Sequence, residues 1–154
     1  MSGYIMDLRA SLGHRPLIQV GASVIVVDER GRLLLQKRAD NHCWCYCGGS
    51  LELFENAEDA AKRELFEESG LVAKSLELFG VYSGEKLRYT YPNGDVVSNV
   101  DIVYVCRSYE GALKPQEGEV ESLRFFAPDE LPSPLFEVIV PALTDFIAGE
   151  RANV

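Results

Sequence analysis

An α+β fold, a mixed sheet with helices on either side, is the architecture this sequence predicts from the order of its periodic segments. Three observations point there. Apolar β-branched runs fill positions 17–38, a stretch with helical caps and an acidic face occupies 56–70, and ring-rich strands around an Asn-Gly turn return over 75–104 before a last amphipathic segment. The 154 residues suit a single domain over 1–154, large enough to bury a core without staples.

Tyr4–Leu12 reads as a short helix stopped by Gly13, with His14-Arg15-Pro16 as the connection. Ile18–Val27 is β-branched with little alternation, as expected of a strand buried on both faces. Asp28-Glu29-Arg30-Gly31 is a turn signal, and Leu33–Arg38 is read as the partner strand of a hairpin. Ala39–Trp44 is a loop; Trp44, the only tryptophan, suits core or lid packing, and Gly48-Gly49 reads as a turn. Asn56 is a good N-cap, Asp59 follows three residues later and Gly70 can end a helix, so Ala57–Ser69 is expected to be helical. Ser75–Ser83 reads as a strand, and Leu87–Tyr91 with Val96–Tyr104 forms a hairpin about Pro92-Asn93-Gly94-Asp95. Tyr109–Gly118 is a loop, and Ser122–Ala127 is a strand. Ser133-Pro134 has the order that starts a helix, with Leu135, Ile139, Leu143 and Phe146 as its stripe; Pro141 inside it predicts a kink or two short helices.

A net charge of -9 and a pI near 4.7 argue against binding nucleic-acid polymers or acidic membranes, which need a positive field. A small anionic ligand is still allowed, because bound cations can reverse the sign of a local site. No apolar run reaches membrane-spanning length and Met1–Arg15 has no hydrophobic signal core, so a cytoplasmic protein is expected. Cys43, Cys45 and Cys47 lack the paired CxxC spacing of a structural zinc site. They are read as reduced, small apolar side chains.

The chemistry concentrates in the acidic helix. At 100° per residue Glu64, Glu67 and Glu68 share one face, following Ala57, Ala60 and Ala61 on the same sector. Carboxylates four apart repel, and carboxylates in a last turn oppose the helix dipole, each costing roughly 0.3–1 kcal/mol. Such a face calls for a cation. Lys37 and Arg38 are read either as phosphate contacts or as solvated strand-end charges. Tyr89 and Tyr91 share a strand face and could stack on a base, although strands favour rings in any case. Of Glu117, Glu119 and Glu121, one could reach the cation, or all could lie on a solvated face.

Read together, Gly49, five residues, Glu55, seven residues and Arg63-Glu64-Leu65-Phe66-Glu67-Glu68-Ser69-Gly70-Leu71 resemble the Nudix hydrolase box, and every fixed position is matched. The resemblance implies a Nudix-like α/β/α sandwich over about 17–147. It also implies Mg²⁺- or Mn²⁺-dependent cleavage of a nucleoside diphosphate linked to another group, with a small-molecule nucleotide as substrate and a homodimer as a family expectation. By that likeness Glu64 and Glu68 are the principal metal ligands, Glu67 ligates or supports them, the Gly49 carbonyl adds a ligand, and Arg63 pairs with Glu55 to orient the glutamates. The general base stays open among Glu67, Glu64 and a loop residue such as Glu119.

Cys47 and Phe54 depart from the Pro and Gly common in the family at these positions; both affect loop geometry and neither is a ligand position. Substrate markers are poor: Lys86 stands where some ADP-ribose enzymes have Pro. Tyr89 matches the tyrosine spacing of diadenosine polyphosphate enzymes only within a tyrosine-rich strand. The alternative reading is a Nudix-like module that senses a nucleotide without cleaving it, which is expected of chains that have lost box glutamates.

Overall fold

The computed structural model describes residues 3–149. Its elements run α1 (Tyr4–Leu12), β1 (Leu17–Val26), β2 (Leu33–Arg38), β3 (Trp44–Cys45), β4 (Cys47–Ser50), α2 (Ala57–Ser69) and β5 (Val72–Tyr82). They continue with β6 (Arg88–Thr90), β7 (Val96–Glu110), β8 (Val120–Phe126) and α3 (Val140–Ala148). A mixed sheet has the order β4-β1-β7-β5 with β6 also on β7, and a smaller antiparallel sheet has the order β3-β2-β8. β1 and β7 run parallel, and the remaining pairs are antiparallel. No described helix is long and apolar enough to cross a membrane.

The two faces of the mixed sheet bury separate cores. On one, Ala22, Val24 and Val26 of β1 meet Ala60, Ala61 and Leu65 of α2 with Leu34 and Leu71. On the other, Ile25 and Val103 pack with Leu33, Leu35, Trp44, Phe136 and Leu143. Fully burying each of these larger side chains stabilises the fold by roughly 1.5–3 kcal/mol. β2 serves both cores because successive side chains point to opposite faces.

The α1, α2 and β6–β7 hairpin expectations match the structure, while five others are corrected. β1 and β2 flank a genuine turn, in which Asp28 Oδ1 accepts the Arg30 and Arg32 amides, but they do not form a hairpin. β4 and β7 already occupy both edges of β1, so β2 crosses to the second sheet, leaving only the Val27–Leu33 bridge. β1 is buried on both faces only from Ala22 onward.

Gly48-Gly49 is strand, opposite Ser23 and Ala22, rather than turn. A methyl group on Gly48 would stand 2.8 Å from Ser23 Cβ and 2.9 Å from the Ala22 carbonyl oxygen, so only glycine permits this approach. Tyr109 and Glu110 are strand instead of the start of a loop, because β7 runs on past Tyr104 to pair with both β1 and β5; it stops at Gly111, φ +102°. Ser133-Pro134 does not begin a helix. The chain bends there, with mutual backbone bonds between Trp44 and the 134–136 segment; a 3₁₀ turn at Glu137–Ile139 then leads into α3, whose first turn accommodates Pro141.

Candidate active site

α2 is positioned by its own ends. Asn56 Oδ1 accepts the Glu58 amide at 2.9 Å, and Gly70, in the left-handed conformation, donates its amide to the Phe66 carbonyl. Completely buried Ala60 and Ala61 let the helix lie close on β1 and β4. One turn on, the same face presents carboxylates to β4. The Gly48 amide donates to Glu68 Oε1 at 2.7 Å, and Gln36 Nε2 donates to Glu68 Oε2 at 2.9 Å. Glu64 fills the space beside Gly49, where any Cβ would overlap its carboxyl group.

Arg63 ties this end of the helix to the preceding loop. Its guanidinium donates to both Glu55 oxygens at 2.8 and 2.9 Å, to Glu64 Oε1 at 2.8 Å, and to the Ser50 carbonyl at 3.2 Å. The Arg63–Glu55 bond holds the Glu55 carboxyl below the usual carboxylate range. Burial dominates at the other two. It pushes the Glu68 carboxyl up to about 8, with the Glu64 charge adding to the effect and Gln36 and Gly48 opposing it. Burial likewise raises Glu64 against the pull of Arg63, with Glu67 and Glu119 contributing repulsion.

These carboxylates border a cavity of about 480 Å³ between the two sheets, within the size range of small-molecule sites. Its floor is one face of the mixed sheet. Gln19, Gly21 and Ser23 alternate along β1, and the register sets Asn99 and Asp101 of β7 beside them. Gln36 and Arg38 of β2 form part of the facing wall, with Glu119, Tyr91 and Phe136 also lining the space.

Of the residues the sequence singled out, Gly49, Glu64, Glu68, Arg38, Tyr91 and Glu119 line the cavity. Glu55 and Arg63 support it from the rim through the bonds above. Glu67 does not line it and faces Arg63 at 3.5 Å. Lys37 lies on the opposite face of β2 from Gln36 and Arg38, where its ammonium meets Glu121 at 3.5 Å. Tyr89 is packed edge-on between Tyr91 and Phe136, and its hydroxyl accepts a hydrogen bond from Asn41. Arg38 is paired to Asp40 through two bonds and lies 4.5 Å over the Phe136 ring. Cys45, Cys47 and Cys106 are buried free thiols, and burial pushes the Cys45 thiol up to about 12.

Sequence reasoning missed Gln36, Ser23, Tyr46 and Asp101. A signal for Asp101 existed: it is the one charged residue within the β-branched run of β7 from Val96 to Val105.

Among the described residues no three His, Cys, Asp or Glu side chains form a metal cage. Two neighbouring carboxylates and a strand carbonyl are present instead, a hard-oxygen donor set that suits Mg²⁺, which usually takes one or two carboxylates and completes its shell with water and substrate phosphates. Both carboxyls are raised by burial, which is the imbalance a cation relieves.

Comparison with known proteins gives a consistent picture. The NUDIX domain profile matches residues 17–146. A MutT-like protein of Streptomyces ambofaciens is 33% identical over 139 residues, 90% of this chain and 83% of that one. An ADP-ribose pyrophosphatase of Methanocaldococcus jannaschii is 34% identical over 115 residues, 73% of this chain and 64% of its own length. The crystal structure of a MutT NUDIX hydrolase from Burkholderia pseudomallei matches with a TM-score of 0.71 at 31% identity, covering 83% of this chain and 97% of that chain.

Proposed function

The chain belongs to the Nudix hydrolases, and on that premise we propose that it is a divalent-cation-dependent pyrophosphohydrolase cleaving the diphosphate of a nucleoside diphosphate linked to another group. The observation that carries this reading is the pair Glu64 and Glu68, buried side by side against β4 and bordering a nucleotide-sized cavity. Glu64, Glu68 and the Gly49 carbonyl would hold Mg²⁺ or Mn²⁺. When bound, the cation neutralises phosphate charge and lowers the pKa of an attacking water.

The protein's own share is placement. Gly48 and Gln36 fix both oxygens of Glu68, and Arg63 clamps Glu64 while anchored by Glu55. Positioning of this kind supplies much of the acceleration in phosphoryl chemistry. Glu119, which lines the cavity, is our choice for the general base over Glu67, whose carboxylate is turned toward Arg63. Arg38 and Tyr91 are the contacts for the nucleotide. The retained glutamates and the braced Arg63 favour an enzyme over a sensing module.

The test is a panel of nucleotide sugars, dinucleoside polyphosphates, nucleotide cofactors and oxidised triphosphates with Mg²⁺ or Mn²⁺, scored by product mass. We expect cleavage of a phosphoanhydride bond in at least one class, and saturable nucleotide binding without any cleavage would favour the sensing module instead.

A further inference from the structure

The cavity floor holds a carboxylate for which the diphosphate chemistry has no use. Asp101 on β7 lies opposite Gly21 of β1 and Tyr82 of β5, is 8% exposed, and lines the cavity. Ser23 Oγ donates to its Oδ1 at 2.6 Å and the Tyr46 hydroxyl donates to its Oδ2 at 2.8 Å. Both partners are neutral, and among the described residues no Lys, Arg or His forms an ion pair with it.

Each oxygen of a carboxylate can accept about two hydrogen bonds, so the two hydroxyls leave one acceptor position on each oxygen. The neighbouring amides do not fill them. Gln19 Nε2 donates to Ser50, Asn99 Nδ2 to the Leu87 carbonyl, and Gln36 Nε2 to Glu68. A buried charge held this way is costly to keep, and the cavity that Asp101 lines is where donors for its remaining acceptors would come from.

We propose that Asp101 is a specificity-determining residue that accepts two neighbouring hydrogen-bond donors on the nucleoside part of the substrate. These are either the ring N–H and amino group of one nucleobase edge or the vicinal hydroxyls of a ribose. The inference rests on the nucleotide reading of the cavity, but not on catalysis. A site built on acceptors discriminates strongly against a ligand lacking the donors, because the buried carboxylate is then left unpaired.

Calorimetric titration of the full chain in Mg²⁺ with nucleoside monophosphates tests it, since these hold no phosphoanhydride bond and report binding whether or not the protein hydrolyses anything. Guanosine, inosine and 2′-deoxyguanosine 5′-monophosphates differ by one amino group or one hydroxyl. The wild type is expected to prefer guanosine monophosphate over one of the other two by roughly tenfold or more, and Asp101→Asn to bring that ratio within about twofold. Loss of the guanosine/inosine ratio assigns Asp101 to the base edge, and loss of the ribose/deoxyribose ratio assigns it to the sugar; both support the proposal. Wild-type ratios within twofold, or a preference unchanged in the variant, overturn it. A ratio within one preparation is insensitive to a lowered folded fraction, and Asp101→Ala, which removes both acceptors, is read in parallel. An Asp101-dependent preference in a protein that cleaves nothing on the panel would sink the proposed reaction and leave this inference standing.

Discussion

Glu68 and Asp101 are carboxylates of one cavity, each held by two neutral donors, yet their charged surroundings differ. Glu68, bonded by Gly48 and Gln36, stands beside a charged cluster whose Glu55, Arg63 and Glu64 come from a single stretch of 23 residues, Gly49 to Leu71. Asp101 is held by two neutral hydroxyls from Ser23 and Tyr46, brought together only by the sheet. The proposed reaction machinery is thus largely local in the chain, with Gln36 and Gly48 added from outside that stretch, and it gathers charge. Recognition is assembled from distant strands, and it keeps charge only where a ligand can answer it.

The sharpest way to break this contrast is Glu68→Gln, expected to lower kcat for any cleaved substrate by roughly 10²–10³, in the manner of losing a preorganised electrostatic group. Steady-state rates in saturating Mg²⁺ check it; unchanged turnover would remove Glu68 from the reaction. Next comes a pair of glycine substitutions. Gly49→Ala meets only the far end of the Glu64 side chain and no backbone, so the melting temperature is expected to hold while turnover falls about 100-fold through misplacement of that group. Gly48→Ala meets Ser23 Cβ and the Ala22 carbonyl and is expected to cost about 1–3 kcal/mol in denaturant titrations.

Asp101→Asn should act in the other direction on stability. Burial raises the Asp101 carboxyl above its ordinary 3.8, with Ser23 and Tyr46 only partly opposing. The folded protein therefore binds that proton more tightly than the unfolded chain, and stability from this group is lost as pH rises from the ordinary Asp value through the raised one. The variant lacks that loss. Its melting temperature relative to the wild type should therefore rise across this window and hold that gain at higher pH, as thermal scans from acid to neutral would show. The smallest effect is expected at Lys37, whose pairing with Glu121 is a surface contact on the far side of β2 from the cavity. Lys37→Ala should leave turnover within about twofold and stability within about 1 kcal/mol.

Local signals were legible. Asn56 and Gly70 act within one turn of their own residues, so α2 has the bounds its caps specify, and Asn93-Gly94 places the β6–β7 hairpin. Strand partnership was not local, and there the reading failed. A turn at Asp28–Gly31 cannot report that β4 and β7 have taken both edges of β1. The cavity floor was visible only in part: Gln19, Gly21 and Ser23 alternate with Ile18, Val20 and Ala22, a period-two polar face inside a strand read as apolar on both sides. Its partners Asn99 and Asp101 lie some 80 positions away, and only the parallel register of β1 on β7 joins them.

That register has a further consequence. Around Asp101 the strand is bonded along both edges, to β1 on one side and β5 on the other, so its amide lies in the interior of the sheet rather than on an edge. Amides so placed exchange with solvent deuterium mainly through global opening. The floor therefore keeps its shape from one encounter to the next, and a badly matched ligand must bear the misfit itself.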